Sequence, residues 1–567
     1  MVQLLTKQGE ALRSSDEKPW DVYPRPQMRR DSYVNLNGMW ELTVDDFKCH
    51  VRVPFCVEST LSGVERHFPE ASVLSYRRKF TLPEGFNRGR VLLHVGAADQ
   101  TAVVYVNGQR IGYHEGGYES FTFDITDHLQ EENSLKILCI DDLENQKFPY
   151  GKQVLPEKRG GMWYTPVSGI WQTVWLESVP ENYIQKLKIV NKGNSVTIST
   201  QPEMEGTVII PQLGQFPLGA TITPENPRFW SPEDPYLYDF TVKTAEDEVQ
   251  SYFAIRSLDI KTVDGIPRLC LNGKPYFFHG LLDQGYWPDG LFTPAKPECY
   301  AEDILAMKRL GFNTLRKHIK VEPEEFYYQC DKLGMIVWQD MVNNSDYGFV
   351  RDTLLPTLGW QTGPDSGMHK DPTHRKMFLQ GCKTTVEQLY NHPCICYWTI
   401  FNEGWGQFDS DRVREDFKQL DDTRFVDATS GWWRAKNTDV DSRHIYFNQW
   451  WQLKKGKKPV VLSECGGLTY PEGDHIFNPD NSYGYKTCKS REELNRGFEE
   501  LYREKFIPFV KEKGLCATIY TQISDVEDEI NGLLTYDRKV CKMDEAMMRS
   551  IAEELYAAIG LETAKRY

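Results

Sequence analysis

The chain has 567 residues, of which 40% are hydrophobic and 26% are charged. At roughly 100–200 residues per domain, this length predicts three to five domains of a soluble globular protein, or fewer if one of them is a barrel. The formal net charge of −15 argues against a nucleic acid or an anionic membrane surface as a partner, because both require a basic face. No apolar run approaches the ~20 residues of a transmembrane helix.

The amino terminus and the cysteines predict a cytoplasmic protein. The first 20 residues lack the apolar core of roughly 7–15 residues that marks a signal peptide. The 13 cysteines are scattered and odd in number, and the one close pair, Cys394 and Cys396, lies in an apolar strand-like run. This usage is typical of buried thiols in a reducing compartment. CxxC pairs are absent, so we expect no structural zinc and no other metal or cofactor.

Residues 1–180 alternate apolar and polar side chains with the period of a β-strand, most clearly in 90–126 and 169–179. Turn signals such as Asn107-Gly108 separate these runs, a pattern typical of a β-sandwich. Residues 181–260 continue with shorter strand-like runs that proline-rich joints interrupt. They predict a second, smaller β-sandwich.

From residue 261 to 567 the pattern changes to eight apolar strand-like runs that alternate with helical segments. Strand-helix alternation at this count predicts a (β/α)8 barrel, in which catalytic groups lie at the carboxyl ends of the strands. The polar residues at the ends of the predicted strands are therefore the first candidates for a functional site. They are Asp283, Arg316, His318, Asp340, Asn402, Glu403, Tyr446, Glu464, Gln522 and Asp525.

Two glutamates stand out among these residues. Glu403 ends the apolar run CICYWTIFNE and Glu464 ends PVVLSE, on predicted strands 4 and 7. A carboxylate is costly to bury without a partner or a role, so the two are either ion-paired structural residues or catalytic groups. Two glutamates across a barrel mouth suit glycoside hydrolysis, in which one protonates the leaving oxygen and the other attacks the anomeric carbon. The distance between the two carboxyl groups would show whether the enzyme retains or inverts the configuration at the anomeric carbon.

Eight short motifs follow one another in an order that is more specific than any one of them. They are residues 35–40 (NLNGMW), 76–80 (YRRKF), 106–108 (VNG), 168–172 (SGIWQ), 253–256 (FAIR), 272–275 (NGKP), 402–403 (NE) and 463–464 (SE). In this order the chain resembles glycoside hydrolase family 2, the group of β-galactosidases, β-glucuronidases and β-mannosidases. The resemblance implies a jelly-roll-like sugar-binding domain, an immunoglobulin-like β-sandwich and a catalytic TIM barrel.

The resemblance also implies an exo-acting β-glycosidase that retains configuration through a covalent glycosyl-enzyme. Glu403 would be the general acid and then the general base, and Glu464 would be the nucleophile. Asn402 would bind the 2-hydroxyl of the sugar. Tyr446 matches a family tyrosine near the nucleophile, although a tyrosine here could equally belong to the barrel core.

The predicted sugar-binding residues depart from those of familiar family members. Strand 2 of those members carries an arginine followed by a small residue, a serine and a histidine, and strand 3 ends in Asp-Glu. The corresponding candidates here are Asp283 on strand 1, Arg316, His318 and Lys320 on strand 2, and Asp340 on strand 3. Strand alternation puts the three residues of strand 2 on one face, which we expect to be the inward one. We do not expect the metal arrangement of the large β-galactosidases.

The substrate stays open between a β-galactoside and a β-uronide, with a galacturonide combining features of both. The β-glucuronidases hold the substrate carboxylate with an Asn-x-Lys motif, but here Leu533 stands two residues after Asn531. Lys317, Lys320 or Arg434 could bind a carboxylate from another direction. The alternative is that the two lysines are paired with neighbouring glutamates.

Aromatic residues make up 13% of the chain, which suits both β-rich cores and sugar stacking. Trp433 and Tyr520 are candidates for stacking on the sugar face, with barrel packing as the alternative for each. The expected partner is a small carbohydrate or a glycoconjugate, and a homo-oligomer is left open.

Two other classes of protein compete with this interpretation. A catalytically silent carbohydrate-binding protein would share the fold without the chemistry. A metal-dependent hydrolase would need a cluster such as His279, His318 and Asp340 at the strand ends.

Overall fold

The computed structural model describes residues 3–358, 360, 363–446 and 449–561, without the side chains of residues 353 and 357. The described chain forms two β-sandwiches followed by a barrel of eight parallel strands, which confirms the predicted architecture. A short helix, Lys7–Arg13, precedes the first sandwich. No helix in these ranges is both long and apolar enough to cross a bilayer.

The first sandwich packs a four-stranded sheet against a six-stranded one around a core of aliphatic and aromatic residues such as Trp40 and Tyr76. The burial of alternate residues along its strands matches the apolar-polar alternation of the sequence. Its strands are Tyr33–Asn35, Gly38–Val44, Phe47–Val53, Val73–Phe80, Arg90–Val95, Ala98–Asp99, Thr101–Val106, Gln109–Glu115, Phe121–Asp124, Asn133–Ile140, Gly169–Ile170 and Val174–Val179.

The second sandwich pairs a three-stranded sheet with a four-stranded sheet around its own apolar core. Its strands are Lys186–Lys192, Ser195–Gln201, Thr207–Ile210, Gly214–Pro217, Thr221–Ile222, Tyr238–Lys243 and Glu248–Phe253. A small sheet of Leu258–Val263, Ile266–Leu271 and Lys274–Pro275 then leads into the barrel. Arg268 of this sheet donates hydrogen bonds to the carbonyls of Val510 and Leu515, so the sheet is fixed to the amino end of barrel strand 8.

The barrel strands are buried along almost their whole length, as expected for parallel strands covered on both faces. They pair in the order 5-4-3-2-1-8-7-6. Strands 1 to 8 are Phe278–Asp283, Thr314–Lys317, Ile336–Asp340, Ile395–Asn402, Phe425–Ser430, Asp441–Ile445, Val460–Gly466 and Leu515–Thr521. All eight carboxyl ends therefore meet at one rim, the barrel mouth.

Helices cover the outside of the barrel. They are Glu298–Arg309, Glu324–Leu333, Leu355–Thr357, Pro372–Leu389, Ser410–Leu420, Arg491–Leu501, Ile507–Glu512 and Glu545–Ala558, with π-helical turns at Val350–Leu354 and Tyr502–Phe506. Short 3-10 turns occupy Thr60–Ser62, Thr126–His128, Pro156–Lys158, Trp450–Gln452 and Gly473–His475, and a two-stranded pair joins Leu468–Thr469 to Lys486–Thr487.

A loop of the first sandwich, residues 150–168, lies across the barrel mouth. At one end, Tyr150 donates from its backbone to Asn343 O at 3.1 Å and from its hydroxyl to Ser345 O at 2.6 Å. At the other end, Tyr164 donates its hydroxyl proton to Glu529. These contacts reach from the loop after strand 3 to the loop after strand 8. Residues of the sandwich therefore line the same mouth as the barrel.

Arg30 joins the two sandwiches. Its guanidinium donates to both oxygens of Asp247 at 3.0 and 2.7 Å and to the carbonyl of Ile184 at 2.8 Å, on the second sandwich. It also lies 3.2 Å from Glu177 of the first sandwich. Both carboxylates are almost fully buried, so Asp247 depends on this cation for compensation, whereas Glu177 shares it with Arg25, which lies 2.9 Å away.

Replacing Arg30 should therefore destabilise the protein strongly. We expect Arg30→Met to cost about 3–5 kcal/mol because it leaves two buried carboxylates without that partner. The matched control is Arg88→Met, since Arg88 pairs with Asp31 at the surface and such pairs contribute about 0–1 kcal/mol. Urea unfolding followed by tryptophan fluorescence measures both. Equal midpoints for the two variants would contradict the role given to Arg30.

Candidate active site

Glu403 and Glu464 face each other across the barrel mouth. Glu403 follows strand 4, and Glu464 lies near the end of strand 7. One carboxylate oxygen of each and a ring nitrogen of His444 all lie within 4.8 Å of one another. The side chain of Glu403 is 21% exposed, whereas that of Glu464 is 6% exposed. The two carboxylates are therefore close together but differ in their contact with solvent.

A backbone turn directs Glu403 into the mouth. Its φ of 54° lies in the left-handed region, which is strained for a residue with a side chain, and Gly404 follows with φ 78°. The amide of Glu403 donates to Ser430 O of strand 5 at 2.9 Å. A Cβ on Gly404 would lie 2.1 Å from the indole ring of Trp433, so only glycine lets this ring pack beside Glu403.

Glu464 is held as an anion by its neighbours. Arg316 donates to one of its oxygens at 3.1 Å, and the hydroxyl of Tyr446 donates to the other. Burial by itself raises the pKa of the Glu464 carboxyl, but His444, Arg316 and His318, together with the Tyr446 hydroxyl, lower it to about 2. A carboxylate in this state is unprotonated across the physiological range.

Arg316 connects strand 2 to strands 3, 4 and 7. Besides Glu464, its guanidinium donates to Asp340 Oδ1 at 3.0 Å, to Asn402 Oδ1 at 2.8 Å and to Ser463 O at 2.9 Å. The side chain is fully buried. The hydrogen bond from Arg316 turns the side-chain oxygen of Asn402 toward the guanidinium. The amide nitrogen of Asn402 is then the group that can donate to a ligand.

The structure brings most of the predicted strand-end residues into one network. His318 Nδ1 lies 2.8 Å from Asp340 Oδ2, and Arg316 joins that carboxylate to Asn402 and Glu464. Tyr446 reaches Glu464 and stacks on Tyr485 with ring centroids 3.8 Å apart. Trp433 lies at the edge of this group, beside Gly404.

Other predicted residues are engaged elsewhere. Lys320 is buried and donates to the carbonyls of Gly285 and Phe292 and to Glu322, so it does not join the network around Glu464. The chain leaves the strand 2 ladder after Lys317, and strand alternation no longer applies there. Asp283 accepts a hydrogen bond from Lys317 at 2.7 Å, which satisfies both charges internally.

Tyr520 and Arg434 also lie away from the two glutamates. The hydroxyl of Tyr520 accepts a hydrogen bond from the amide of Leu468, and its ring packs against Phe498 of an outer helix, so this tyrosine is part of the barrel packing. Arg434 lies 3.9 Å from Asp441, near the start of strand 6. His279 is fully buried against Phe312 and does not join His318 and Asp340, so the suggested metal-hydrolase cluster does not form.

Sequence reasoning missed His444, on strand 6. Its Nδ1 lies 2.7 Å from Glu403 and 3.5 Å from Glu464, and its Nε2 lies 2.9 Å from Ser430 Oγ. At 2.7 Å an imidazole nitrogen and a carboxylate oxygen must share a proton. The signal was available, because His444 stands two residues before Tyr446 and strand alternation puts both on the same face.

Lys152 was also missed. It belongs to the loop of the first sandwich that crosses the mouth, and its ammonium lies 5.8 Å from the ring centroid of Trp163. Trp163 in turn packs edge-on against Trp405, two residues after Glu403. No pattern in the sequence ties a loop of one domain to the strand ends of another.

Three sequence profiles identify the family to which this architecture and site belong. The profile of the family 2 glycosyl hydrolase sugar-binding domain matches residues 26–180, a general family 2 profile matches 176–256, and that of the TIM barrel domain matches 264–512. The chain therefore belongs to glycoside hydrolase family 2.

Curated relatives carry more than one activity name. The chain is 25% identical to a β-galactosidase of Thermoanaerobacter pseudethanolicus over 437 residues, which are 70% of this chain and 54% of that one. It is 24% identical to a β-glucuronidase of Bacteroides fragilis over 374 residues, which are 58% of this chain and 50% of that one. The chain spans about half the length of these relatives.

Solved structures share the fold over nearly the whole chain. A β-D-glucuronidase from Dictyoglomus thermophilum superposes with a TM-score of 0.73 at 18% identity, covering 94% of this chain and 98% of that one. A β-galacturonidase from Eisenbergiella tayi bound to galacturonate gives 0.69 at 17% identity, covering 94% and 99%. At these identities the similarity shows the fold alone.

The low pKa of Glu464 predicts how stability depends on pH. A carboxyl whose pKa falls from 4.5 to about 2 on folding stabilises the protein above pH 4.5, and this contribution is lost as the pH falls toward 2. We expect Glu464→Gln to lower the free energy of unfolding by roughly 3 kcal/mol at neutral pH, with the difference from wild type shrinking below about pH 4.5.

Urea unfolding at a series of pH values measures this difference. Glu181→Gln is the control, because Glu181 is exposed and its replacement should change stability by less than ~0.5 kcal/mol at any pH. A difference between Glu464→Gln and wild type that stays constant down to pH 3 would contradict the electrostatic origin of the effect.

Proposed function

We propose that this protein is a retaining exo-β-glycosidase with Glu464 as the nucleophile and Glu403 as the general acid and base. The observation that carries the proposal is the pair of facing carboxylates, whose oxygens lie within 4.8 Å of each other. Carboxyl groups that sit about 5–5.5 Å apart suit direct attack on the sugar, whereas inversion requires about 6.5–9.5 Å to admit a water molecule. Family membership supports the reaction class.

The environments of the two glutamates support their different roles. Glu464 is the more buried, and a guanidinium and a phenol hold it ionised and oriented, as a nucleophile requires. Glu403 is more exposed, and its hydrogen bond of 2.7 Å to His444 Nδ1 is a path along which a proton can pass between the two side chains. The arrangement separates one permanent anion from one proton carrier, which is the division of labour that a retaining mechanism needs.

The reaction then takes two steps. In the first, a Glu464 oxygen forms a bond to the anomeric carbon while the glycosidic C–O bond breaks, and Glu403 gives its proton to the departing oxygen. In the second, Glu403 takes a proton from water, whose oxygen attacks the same carbon and releases Glu464. Asn402 lies beside Glu403 with its amide nitrogen available for the sugar 2-hydroxyl.

Variants of the two glutamates test the roles separately. Glu464→Gln should abolish turnover of all substrates because it removes the nucleophile. Glu403→Gln should slow a substrate with a poor leaving group by about 10²–10⁴-fold, but it should spare the first step for a dinitrophenyl glycoside, which needs little acid assistance. Steady-state and burst kinetics on both substrates measure this. Equal losses on both substrates for Glu403→Gln would contradict its role, and turnover by Glu464→Gln would contradict the nucleophile.

Within this reaction class, a β-uronide fits the mouth better than a neutral galactoside. Of the cations that the sequence suggested for a carboxylate, Lys317 pairs with Asp283, Lys320 donates to carbonyls and to Glu322, and Arg434 lies 3.9 Å from Asp441, away from the two glutamates. Among the described residues, the ammonium of Lys152 makes no hydrogen bond or ion pair. Its charge acts on Glu529 and His318 without a direct ion pair, so the ammonium can still donate hydrogen bonds to a substrate carboxylate.

The backbone around Lys152 supports this role because it is fixed against the barrel. A Cβ on Gly151 would lie 2.9 Å from the carbonyl of Ile319, next to His318. Burial lowers the pKa of His318, and its partner Asp340 opposes this effect. The charge of Lys152 also lowers the pKa of His318, so the ammonium lies within electrostatic reach of the site. Lys152 is half-buried, so a carboxylate can reach it.

A panel of p-nitrophenyl β-galactoside, β-glucuronide, β-galacturonide and β-mannoside tests the substrate. We expect turnover of a uronide, and we expect Lys152→Met to lower its kcat/KM by about 10–100-fold, since a charge-assisted hydrogen bond contributes about 1.5–3 kcal/mol. Lys158→Met is the matched control, because Lys158 is an exposed lysine of the same loop.

The outcomes of the panel separate the proposals. Hydrolysis of the galactoside alone would overturn the uronide assignment and leave the glycosidase intact. Binding of sugars with no turnover of any substrate would overturn the enzyme and favour a carbohydrate-binding protein of the same fold.

A further inference from the structure

We propose that Glu403, His444 and Glu464 form a binding site for a borderline divalent metal ion such as Zn²⁺, and that the bound metal blocks the site for substrate. Metal binding rests on the geometry and chemistry of the three side chains alone. The block of substrate rests on the proposed function as well.

The three donor atoms are already close to the positions that a metal requires. The ring nitrogen of His444 lies 2.7 Å from one oxygen of Glu403 and 3.5 Å from one oxygen of Glu464. Tetrahedral ligands with bonds of about 2.0–2.1 Å to Zn²⁺ are roughly 3.3 Å apart. The ion would replace the proton between His444 and Glu403, and small rotations of the two carboxylates would complete the three bonds.

The donor set selects the class of metal. One imidazole nitrogen and two carboxylate oxygens suit Zn²⁺, Co²⁺ or Cu²⁺, whereas Mg²⁺ and Ca²⁺ prefer oxygen donors throughout. The three residues lie on or directly after strands 4, 6 and 7, on a rigid barrel. Three protein ligands with an open fourth position match the arrangement of an accessible zinc site rather than a closed structural one.

The surrounding residues orient the imidazole for this purpose. Ser430 donates its hydroxyl proton to Ser463 Oγ at 2.9 Å, and its oxygen also lies 2.9 Å from His444 Nε2. This second contact aims the other ring nitrogen, Nδ1, at the carboxylates, as outer partners of metal-binding histidines do. Arg316 beside Glu464 opposes a further positive charge, so we expect roughly micromolar rather than nanomolar affinity.

A metal bound here would stop the chemistry in two ways. It would occupy an oxygen of Glu464, which needs a free lone pair to attack the sugar. It would also displace the proton that Glu403 and His444 share, so no acid would remain for the leaving group. Metal and substrate should therefore compete for the same space.

Binding of Co²⁺ tests the site without any measurement of turnover. Titration of the full-length protein with Co²⁺, followed by visible absorption, should show one bound ion with an imidazole-containing coordination, and Zn²⁺ should displace it. His444→Asn should weaken binding at least 20-fold. His475→Asn is the matched control, because His475 pairs with Asp537 away from the three ligands and its loss should leave Co²⁺ binding unchanged.

Two further measurements keep the test decisive. Circular dichroism and a second variant, Glu464→Gln, show whether any loss of binding comes from unfolding, because a folded Glu464→Gln should also bind Co²⁺ at least 20-fold more weakly. Absence of a Co²⁺ spectrum in wild type, or equal binding by His444→Asn, would overturn the site.

If the protein hydrolyses glycosides, Zn²⁺ should inhibit competitively and a chelator should restore activity, whereas non-competitive inhibition would overturn this location. Co²⁺ binding without glycosidase activity would leave the site standing and overturn only the proposed function.

Discussion

The buried guanidinium of Arg316 is the interaction on which the barrel mouth depends. It is fully buried, and it reaches Asp340, Asn402 and Glu464 on three other strands. A buried charge is tolerated only when several partners compensate its desolvation, so these side chains must hold their positions around it. The contact with Glu464 favours its ionised form, and the contact with the side-chain oxygen of Asn402 leaves the Asn402 amide nitrogen available as a donor. One residue of strand 2 thereby sets the charge and orientation of groups on strands 4 and 7.

The mouth is not a property of the barrel alone. The loop 150–168 of the first sandwich crosses the rim, with Tyr150 fixed near strand 3 and Tyr164 fixed on Glu529 near strand 8. The loop brings Lys152 to a position that no barrel element supplies. Because two domains line the mouth, loops of one domain can change without disturbing the buried network of the other.

His444 connects the catalytic proposal to the metal proposal. A ring nitrogen that shares a proton with Glu403 is suited to proton transfer, and the same nitrogen without the proton is a metal ligand. Both uses follow from its place between two carboxylates. In the two proposals, proton and metal therefore exclude each other at one position.

The sequence by itself determined the two sandwiches, the eight barrel strands and the two glutamates as candidates, because periodicity and strand ends are local properties that the chain order preserves. It did not determine where polar side chains point once a strand has ended. Lys320 lies beyond the ladder of strand 2, and the folded chain turns it to Glu322. Nor did it determine which face of strand 8 Tyr520 would occupy, and the ring lies against an outer helix. Strand alternation could have predicted that His444 faces the same way as Tyr446, but its contact with Glu403 forms only when the barrel brings strands 4 and 6 together. Lys152 depended on tertiary structure entirely, since only the docking of one domain on another places a loop cation near residues that follow it by more than a hundred positions.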